Sequence, residues 1–189
     1  MMSLELFKNI RTRRRKKKKQ QEQEKSKCKK ATLASIRIQT DFDDLDIDDM
    51  IDDIEIKLIN PENLLHFDVF INPKGSIWKG GKYHFHFDIS DEYPYKTPSV
   101  ICETKIFHPN INLQNGKICL NILSEWRPIY TIQHIIHGLI FLFYEPNASD
   151  PVNIKAGEVY RNNYNKFKDM VTKSLKGDKI DNVNFQKFI

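Results

Sequence analysis

Cysteine is scarce in this chain. Its 189 residues include three, Cys28, Cys102 and Cys119, an odd number with no CxxC spacing. That pattern excludes a disulfide framework and a zinc site, and it fits a reducing compartment, cytosol or nucleus. Long apolar runs are also missing. No stretch approaches the roughly 18 residues of a membrane span, and the segment after Met1 lacks the apolar core of a signal peptide, so neither membrane attachment nor secretion is expected. The GxSxG, GxGxxG, phosphate-loop and HExxH patterns are absent, which removes several common enzyme classes. A hydrophobic content of 40% with 12 Phe supports one packed domain that needs no covalent staples.

What the chain does have is charge, unevenly placed. Residues 1–30 hold 13 Lys/Arg against 3 Asp/Glu, leaving 17 against 22 for residues 31–189. The basic character therefore belongs to the tail, and the remainder is mildly acidic. The arm RTRRRKKKKQQEQEKSKCKK has little apolar surface to bury, so residues 1–30 are expected to form a disordered basic extension. Its tip differs, because Met1, Met2, Leu4, Leu6 and Phe7 form an apolar cluster with no use within the arm itself. Two readings stay open: an initiation sequence followed by a solvated or nuclear-targeting run, or a docking peptide whose apolar residues enter a groove on a partner. Nucleic-acid binding through the arm is disfavoured, since no aromatics interleave the basic run and the rest of the chain is acidic. Cys28 lies among cations that would lower its pKa, but nothing nearby would position a substrate.

Residues 31–189 read as α+β. From Ala31 to Leu45, Leu33, Ile36, Phe42 and Leu45, with Ile38 nearby, fall roughly at helical spacing and predict an amphipathic helix. Eight Asp lie from Asp41 to Asp53, which reads as a solvated connection; a calcium loop is disfavoured because its Gly and ligand spacing are missing. Period-two segments follow at Ile54–Ile59, Phe67–Ile71, Tyr83–Ile89 and Ser99–Cys102, separated by Pro/Gly-rich turns, and predict a four-stranded antiparallel meander. His84 and His86 share a strand face without an evident third metal ligand. Cys102 reads as a buried structural thiol. TIQHIIHGLIFLFYEP predicts a central helix buried on most sides, with Thr131 as N-cap and Pro146 as stop. A further helix is expected from about Asn153 to Leu175, and a short one ending in Phe188. His134 and His137 read as ordinary core or surface histidines.

The stretch HPNINLQNGKICLNILSEW, His108 to Trp126, sets Cys119 across a polar turn from Asn110. A thiol attacks carbonyls, and a side-chain amide can hold the oxyanion that forms. No histidine is placed in a familiar order to activate the thiol. Thiol–thioester exchange needs no dedicated base, because it is nearly thermoneutral and a few per cent of thiolate is enough. The demanding step is attack of an amine on the acyl-cysteine, where one oxyanion donor contributes roughly 3–4 kcal/mol. The residues alone leave both roles open and favour a structural one for Cys119, between Ile118 and Leu120.

HPN at His108–Asn110, the cysteine in GKICLNIL, Trp126 and Pro128, EYPYKTP before them and EPNASDPVN after them resemble the ubiquitin-conjugating enzyme family, in order and nearly in spacing. The likeness covers about residues 31–175. It implies a catalytic core over residues 31–189 with that family's α+β fold: an N-terminal helix, a four-stranded antiparallel meander, a central buried helix and C-terminal helices. By resemblance, Cys119 carries a ubiquitin-like modifier as a thioester, Asn110 donates to the oxyanion, and Asp150 orients or desolvates the incoming lysine. His108 matches a residue regarded as structural. Tyr95, Trp126 and Pro128 fall in loops that meet RING-type ligases, a use that suits exposed aromatic and proline surface.

CLNIL, YEPNASDPVN, IRIQ and the tipped basic tail look most like the branch that handles the Nedd/Rub modifier. The resemblance then implies that Leu4, Leu6 and Phe7 dock on the modifier's activating enzyme, and that cullins are the acceptors. It implies no bound metal or organic cofactor, since ATP is used by the upstream activating enzyme. The alternatives are a conjugating enzyme for ubiquitin proper, or a non-catalytic variant acting as a binding module. The pairing of Cys119 with Asn110 disfavours the latter. Three positions depart from the family pattern. Asn110 and Cys119 are one residue further apart than usual, LSEWRP is one residue shorter with Ser124 where a basic residue is common, and Thr97 stands for a usual proline.

Overall fold

A computed structural model describes residues 32–46 and 53–189. The chain divides into two units, Met1–Thr32 and Leu33–Ile189, the second of which holds the helices and strands of the described residues. Leu4, Leu6, Phe7 and Cys28 lie outside the described residues, as do Asp48, Asp49 and Asp52 of the acidic run. The elements, in order, are α1 (Leu33–Asp43), β1 (Asp53–Asn60), β2 (Asn63–Asn72), β3 (Tyr83–Asp88), β4 (Ser99–Cys102), α2 (Asn121–Ser124), α3 (Ile132–Tyr144), α4 (Ile154–Asn162) and α5 (Tyr164–Leu175). The strands form one antiparallel sheet in the order β1-β2-β3-β4, the meander expected from the period-two segments.

Alternation sorts the sheet into two faces. Phe67, Val69 and Ile71 of β2, Tyr83, Phe85 and Phe87 of β3, and Val100 and Cys102 of β4 are buried together. Phe67 and Phe87 stack with ring centroids 4.8 Å apart, and Phe42 of α1 meets Phe67 edge-on at 5.0 Å. Phe143 of α3 stacks on Tyr83 at 5.0 Å. On the opposite face, Asp68 stands between His84 and His86. His86 Nδ1 hydrogen-bonds its Oδ1 at 2.9 Å, while His84 Nε2 approaches to 3.0 Å off the line of a hydrogen bond. Among the described residues no three His, Cys, Asp or Glu side chains are arranged to hold a metal ion, and no helix is long and apolar enough to cross a membrane.

Four expectations are corrected. First, only part of the set expected for α1 is buried: Ile38, Phe42 and Leu45 pack on the core. Leu33 and Ile36 are exposed, whereas Ala34, Ile38 and Asp41, spaced i, i+4, i+7, are buried. Second, Asp41 is not part of a solvated connection. It accepts from Arg37 Nε at 2.8 Å, from the Tyr93 hydroxyl and from the backbone N–H of Ile132 at 3.2 Å. A buried carboxylate with three donors satisfies the start of α3 in the manner of a remote cap. Third, the helix expected over 153–175 is two. Asn163 closes α4 by donating its N–H to Val159 O at 2.9 Å, and opens α5 by accepting from Lys166 N–H at 2.9 Å. Fourth, the last residues form no helix. They fold back through the bridges Lys176↔Lys187 and Ile180↔Val183 and bury Phe185.

Thr131 stands at the N-cap of α3 as expected, and its own N–H donates to His134 Nδ1 at 3.3 Å. The helix buries Ile132, Ile135, Ile136, Leu139, Leu142 and Phe143 but leaves His134, His137 and Phe141 exposed, so it is less enclosed than its composition predicts.

Candidate active site

Asn110 and Cys119 face each other at the base of a small hairpin. Cys119 N–H donates to Asn110 O at 2.9 Å, Ile111 and Ile118 form a bridge, and Asn112 N–H donates to Lys117 O at 2.9 Å. These pairings leave residues 113–116 as the loop and fix the register at its two ends. Asparagines organise that loop: Asn112 Oδ1 accepts from Gln114 N–H at 2.8 Å and Asn115 N–H at 3.2 Å, and Asn115 Oδ1 accepts from Lys117 N–H at 3.0 Å. Gly116 closes the turn with φ of 67°, a conformation costly for residues with a Cβ. A Cβ there would also lie 2.2 Å from the carbonyl oxygen of Cys102, because the turn is seated on β4.

Each residue of the HPN triplet braces either the end of α3 or the loop beyond it. His108 is fully buried against Trp78, with ring centroids 4.6 Å apart. Its Nε2 donates to Leu142 O at 2.9 Å, and its Nδ1 accepts from Asn110 N–H at 2.9 Å. Both ring nitrogens are committed, and burial pushes the ring's pKa down to about 4, so His108 is a neutral structural group. Pro109 O accepts from Asn153 N–H at 2.9 Å. Asn110, also fully buried, makes a reciprocal pair with the backbone of Asn147: Nδ2 donates to its carbonyl at 2.8 Å, and Oδ1 accepts from its N–H at 2.9 Å. Asn110 thus ties the hairpin to the loop that carries Asp150.

Cys119 is half-buried and Asp150 is exposed. The second described thiol, Cys102, is buried with its pKa pushed up to about 12 by desolvation, which suits the structural role expected of it. Tyr95 is 80% exposed, and Pro128 is exposed beside Ile129. Trp126 is half-buried and donates from Nε1 to Pro94 O at 2.7 Å, which links the two loops expected to meet a ligase. Arg37 fixes the second loop to α1, donating to Pro128 O at 3.0 Å and Tyr130 O at 2.8 Å. Ser124 is exposed and donates back to Asn121 O at 3.0 Å. Sequence reading did not find Arg37, Asp41, Trp78 or Asn147, and only the position of Asn147 next to EP hinted at a constrained loop.

A half-exposed thiol on a braced hairpin, with the nearby histidine fully committed elsewhere, describes a thiol acyl carrier rather than a hydrolase with a dedicated base. The sequence profile of the ubiquitin-conjugating enzyme family matches residues 37–175, and the chain belongs to that family. It is 37% identical over 159 residues to the Nedd8-conjugating enzyme UbcE2M of Drosophila melanogaster, covering 84% of this chain and 86% of that protein. It is 39% identical over 156 residues to the NEDD8-conjugating enzyme ubc12 of Schizosaccharomyces pombe, covering 80% and 84%. The solved structure of S. cerevisiae Ubc12 superposes with a TM-score of 0.78 at 34% identity, covering 94% of this chain and 98% of that one.

Proposed function

We propose that this conjugating enzyme carries a NEDD8-type modifier as a thioester on Cys119 and transfers it to lysines, with cullins as the acceptors. The identity of the relatives supports the modifier, and the hairpin register that presents Cys119 supports the carrier. In the first step the Cys119 thiolate attacks the thioester of the charged activating enzyme, so one C–S bond forms as the other breaks. In the second, a neutral lysine Nζ attacks the carbonyl, the Cys119 thiolate leaves, and the amine loses its proton to solvent. Asn110 has two amide hydrogens. One is held by Asn147 O, and the other serves the oxyanion of the second step. Asp150, exposed and three residues beyond the Asn147 that Asn110 holds, receives the lysine.

Leu4, Leu6 and Phe7 dock on the activating enzyme, which spends the ATP, and Tyr95, Trp126 and Pro128 meet a RING-type ligase in the cytoplasm or nucleus. The test offers NEDD8 and ubiquitin in parallel, each with its own activating enzyme and ATP. A reductant-sensitive adduct with NEDD8, lost in Cys119→Ala, is expected. No adduct, or one that persists in Cys119→Ala, refutes the carrier; equal charging with ubiquitin refutes the modifier. Removing residues 1–30 should slow charging, and an unchanged rate would sink the docking role.

A further inference from the structure

The segment carrying Asp150 is held from four sides. Asn110 grips Asn147, Pro109 O holds Asn153 N–H, and Pro151 lies on Gly157 of α4, where a Cβ would sit 2.5 Å from the proline ring. The fourth hold comes from outside the HPN triplet. Arg161, in the last turn of α4, donates from Nη1 to the carbonyl of Ala148, two residues before Asp150. Within the segment itself, Asn147 Oδ1 accepts from Ser149 N–H at 3.0 Å, so the stretch from Asn147 to Ser149 is already folded into a turn. What Arg161 adds is orientation of that turn relative to α4. Without it, the carbonyl of the buried Ala148 loses its charged donor while both ends of the segment stay tied.

We propose that Arg161 is a positioning residue for lysine transfer, acting by setting where Asp150 stands in front of Cys119. This rests on the roles given above to Cys119 and Asp150. Arg161 touches neither the thioester nor the lysine, so its effect must be confined to the step Asp150 serves. Charging of Cys119 involves thiol exchange and no lysine, and it is independent of Arg161. Discharge to lysine is sensitive to it, because displacement of a positioning group by about 1 Å costs up to roughly a hundredfold, and a segment still tied at both ends moves less than that. The expected loss is roughly tenfold. A planar guanidinium holding one carbonyl is imperfectly replaced by an ammonium, so Arg161→Lys recovers part of the rate.

The experiment charges the full-length chain, removes excess activating enzyme, and follows single-turnover discharge to free lysine and, separately, to hydroxylamine, which needs no help to lose a proton. Arg161→Ala should charge at the wild-type rate, discharge to lysine about tenfold more slowly, discharge to hydroxylamine normally, and be partly rescued in Arg161→Lys. In an Asp150→Ala background the Arg161→Ala effect should vanish, because the two act as one unit. Arg161→Gln, with urea unfolding curves for every variant, separates loss of fold from loss of position. Unchanged lysine discharge overturns the proposal, as does equal slowing with hydroxylamine or an undiminished effect without Asp150. A wild-type chain that cannot be charged at all overturns the carrier reading and this proposal with it.

Discussion

Acid should loosen the site through His108. The ring is buried beneath Trp78, donates to Leu142 O and accepts from Asn110 N–H, so a second proton would destroy the latter bond. Burial lowers its pKa from 6.5 to about 4. The unfolded chain therefore takes up the proton first. Stability is fully present above pH 6.5 and is lost as pH falls from there towards 4. From this one group the loss relative to pH 7 is about 1 kcal/mol at pH 5.5 and about 2 kcal/mol at pH 4.5. The assay is urea unfolding at the three pH values for the wild type and His108→Gln, whose amide offers one donor and one acceptor without titrating. The variant is less stable at pH 7 because it loses the packing on Trp78. Its stability should nevertheless fall less between pH 7 and 5.5, by about 1 kcal/mol. The other five histidines are common to both proteins and cancel in the difference. Parallel pH slopes would refute the claim that His108 is held neutral.

Gly116→Ala should cost about 2 kcal/mol or more, from the left-handed conformation and the approach to Cys102 O. Gly116→Asn tolerates the conformation but keeps the clash, so full recovery in an unfolding curve would disprove the steric part. Asp41→Ala strands the Tyr93 hydroxyl and the N–H of Ile132, and should cost about 3 kcal/mol, at the low end for a broken buried pair because Arg37 keeps some access to water. Thermal unfolding measures it, and a loss below about 1 kcal/mol would return Asp41 to the solvated surface. Ile38→Ala should cost about 2–4 kcal/mol and Ile36→Ser less than about 0.5 kcal/mol, and equal effects would contradict the observed face of α1.

Much of the fold was legible because strands obey a local period. Ser99–Cys102 was delimited to the residue, and the other three strands were found within a few residues at each end. In α1 only Leu33 and Ile36 depart from the expected apolar face, because the helix's apolar residues fall on two sides and only contact with β2 and α3 selects between them. Placing the acid Asp41 inside needs Tyr93 and Ile132, distant in sequence, to arrive as donors. The helix break at Asn163 was readable in principle from the asparagine pair Asn162–Asn163, but continuous apolar spacing through Tyr160, Tyr164 and Phe167 outweighed it. At the site, HPN and the cysteine were recognisable because the motif is short. The brace they form was not, since its partners are backbone carbonyls and N–H groups at 142–153, which almost any residue can supply.

What presents Cys119 opposite Asn110 is not a count of residues but a register. Residues 110, 111 and 112 lie opposite 119, 118 and 117, and successive residues of paired chain point to opposite sides. A residue added within 113–116 leaves Cys119 facing as before. One added between Ile118 and Cys119 puts the two side chains on the same side, so that either the thiol turns over or Ile118, now buried, is driven towards solvent. Deleting Gln114 should therefore preserve charging of Cys119 once the shorter loop is closed with Asn-Gly, whereas inserting an Ala after Ile118 should abolish charging. Far-UV circular dichroism and an unfolding curve establish that the sheet and α3 survive in both. If the insertion after Ile118 charged as well as the wild type, presentation of the thiol would not depend on this hairpin, and the bracing by Asn110 would lose its purpose.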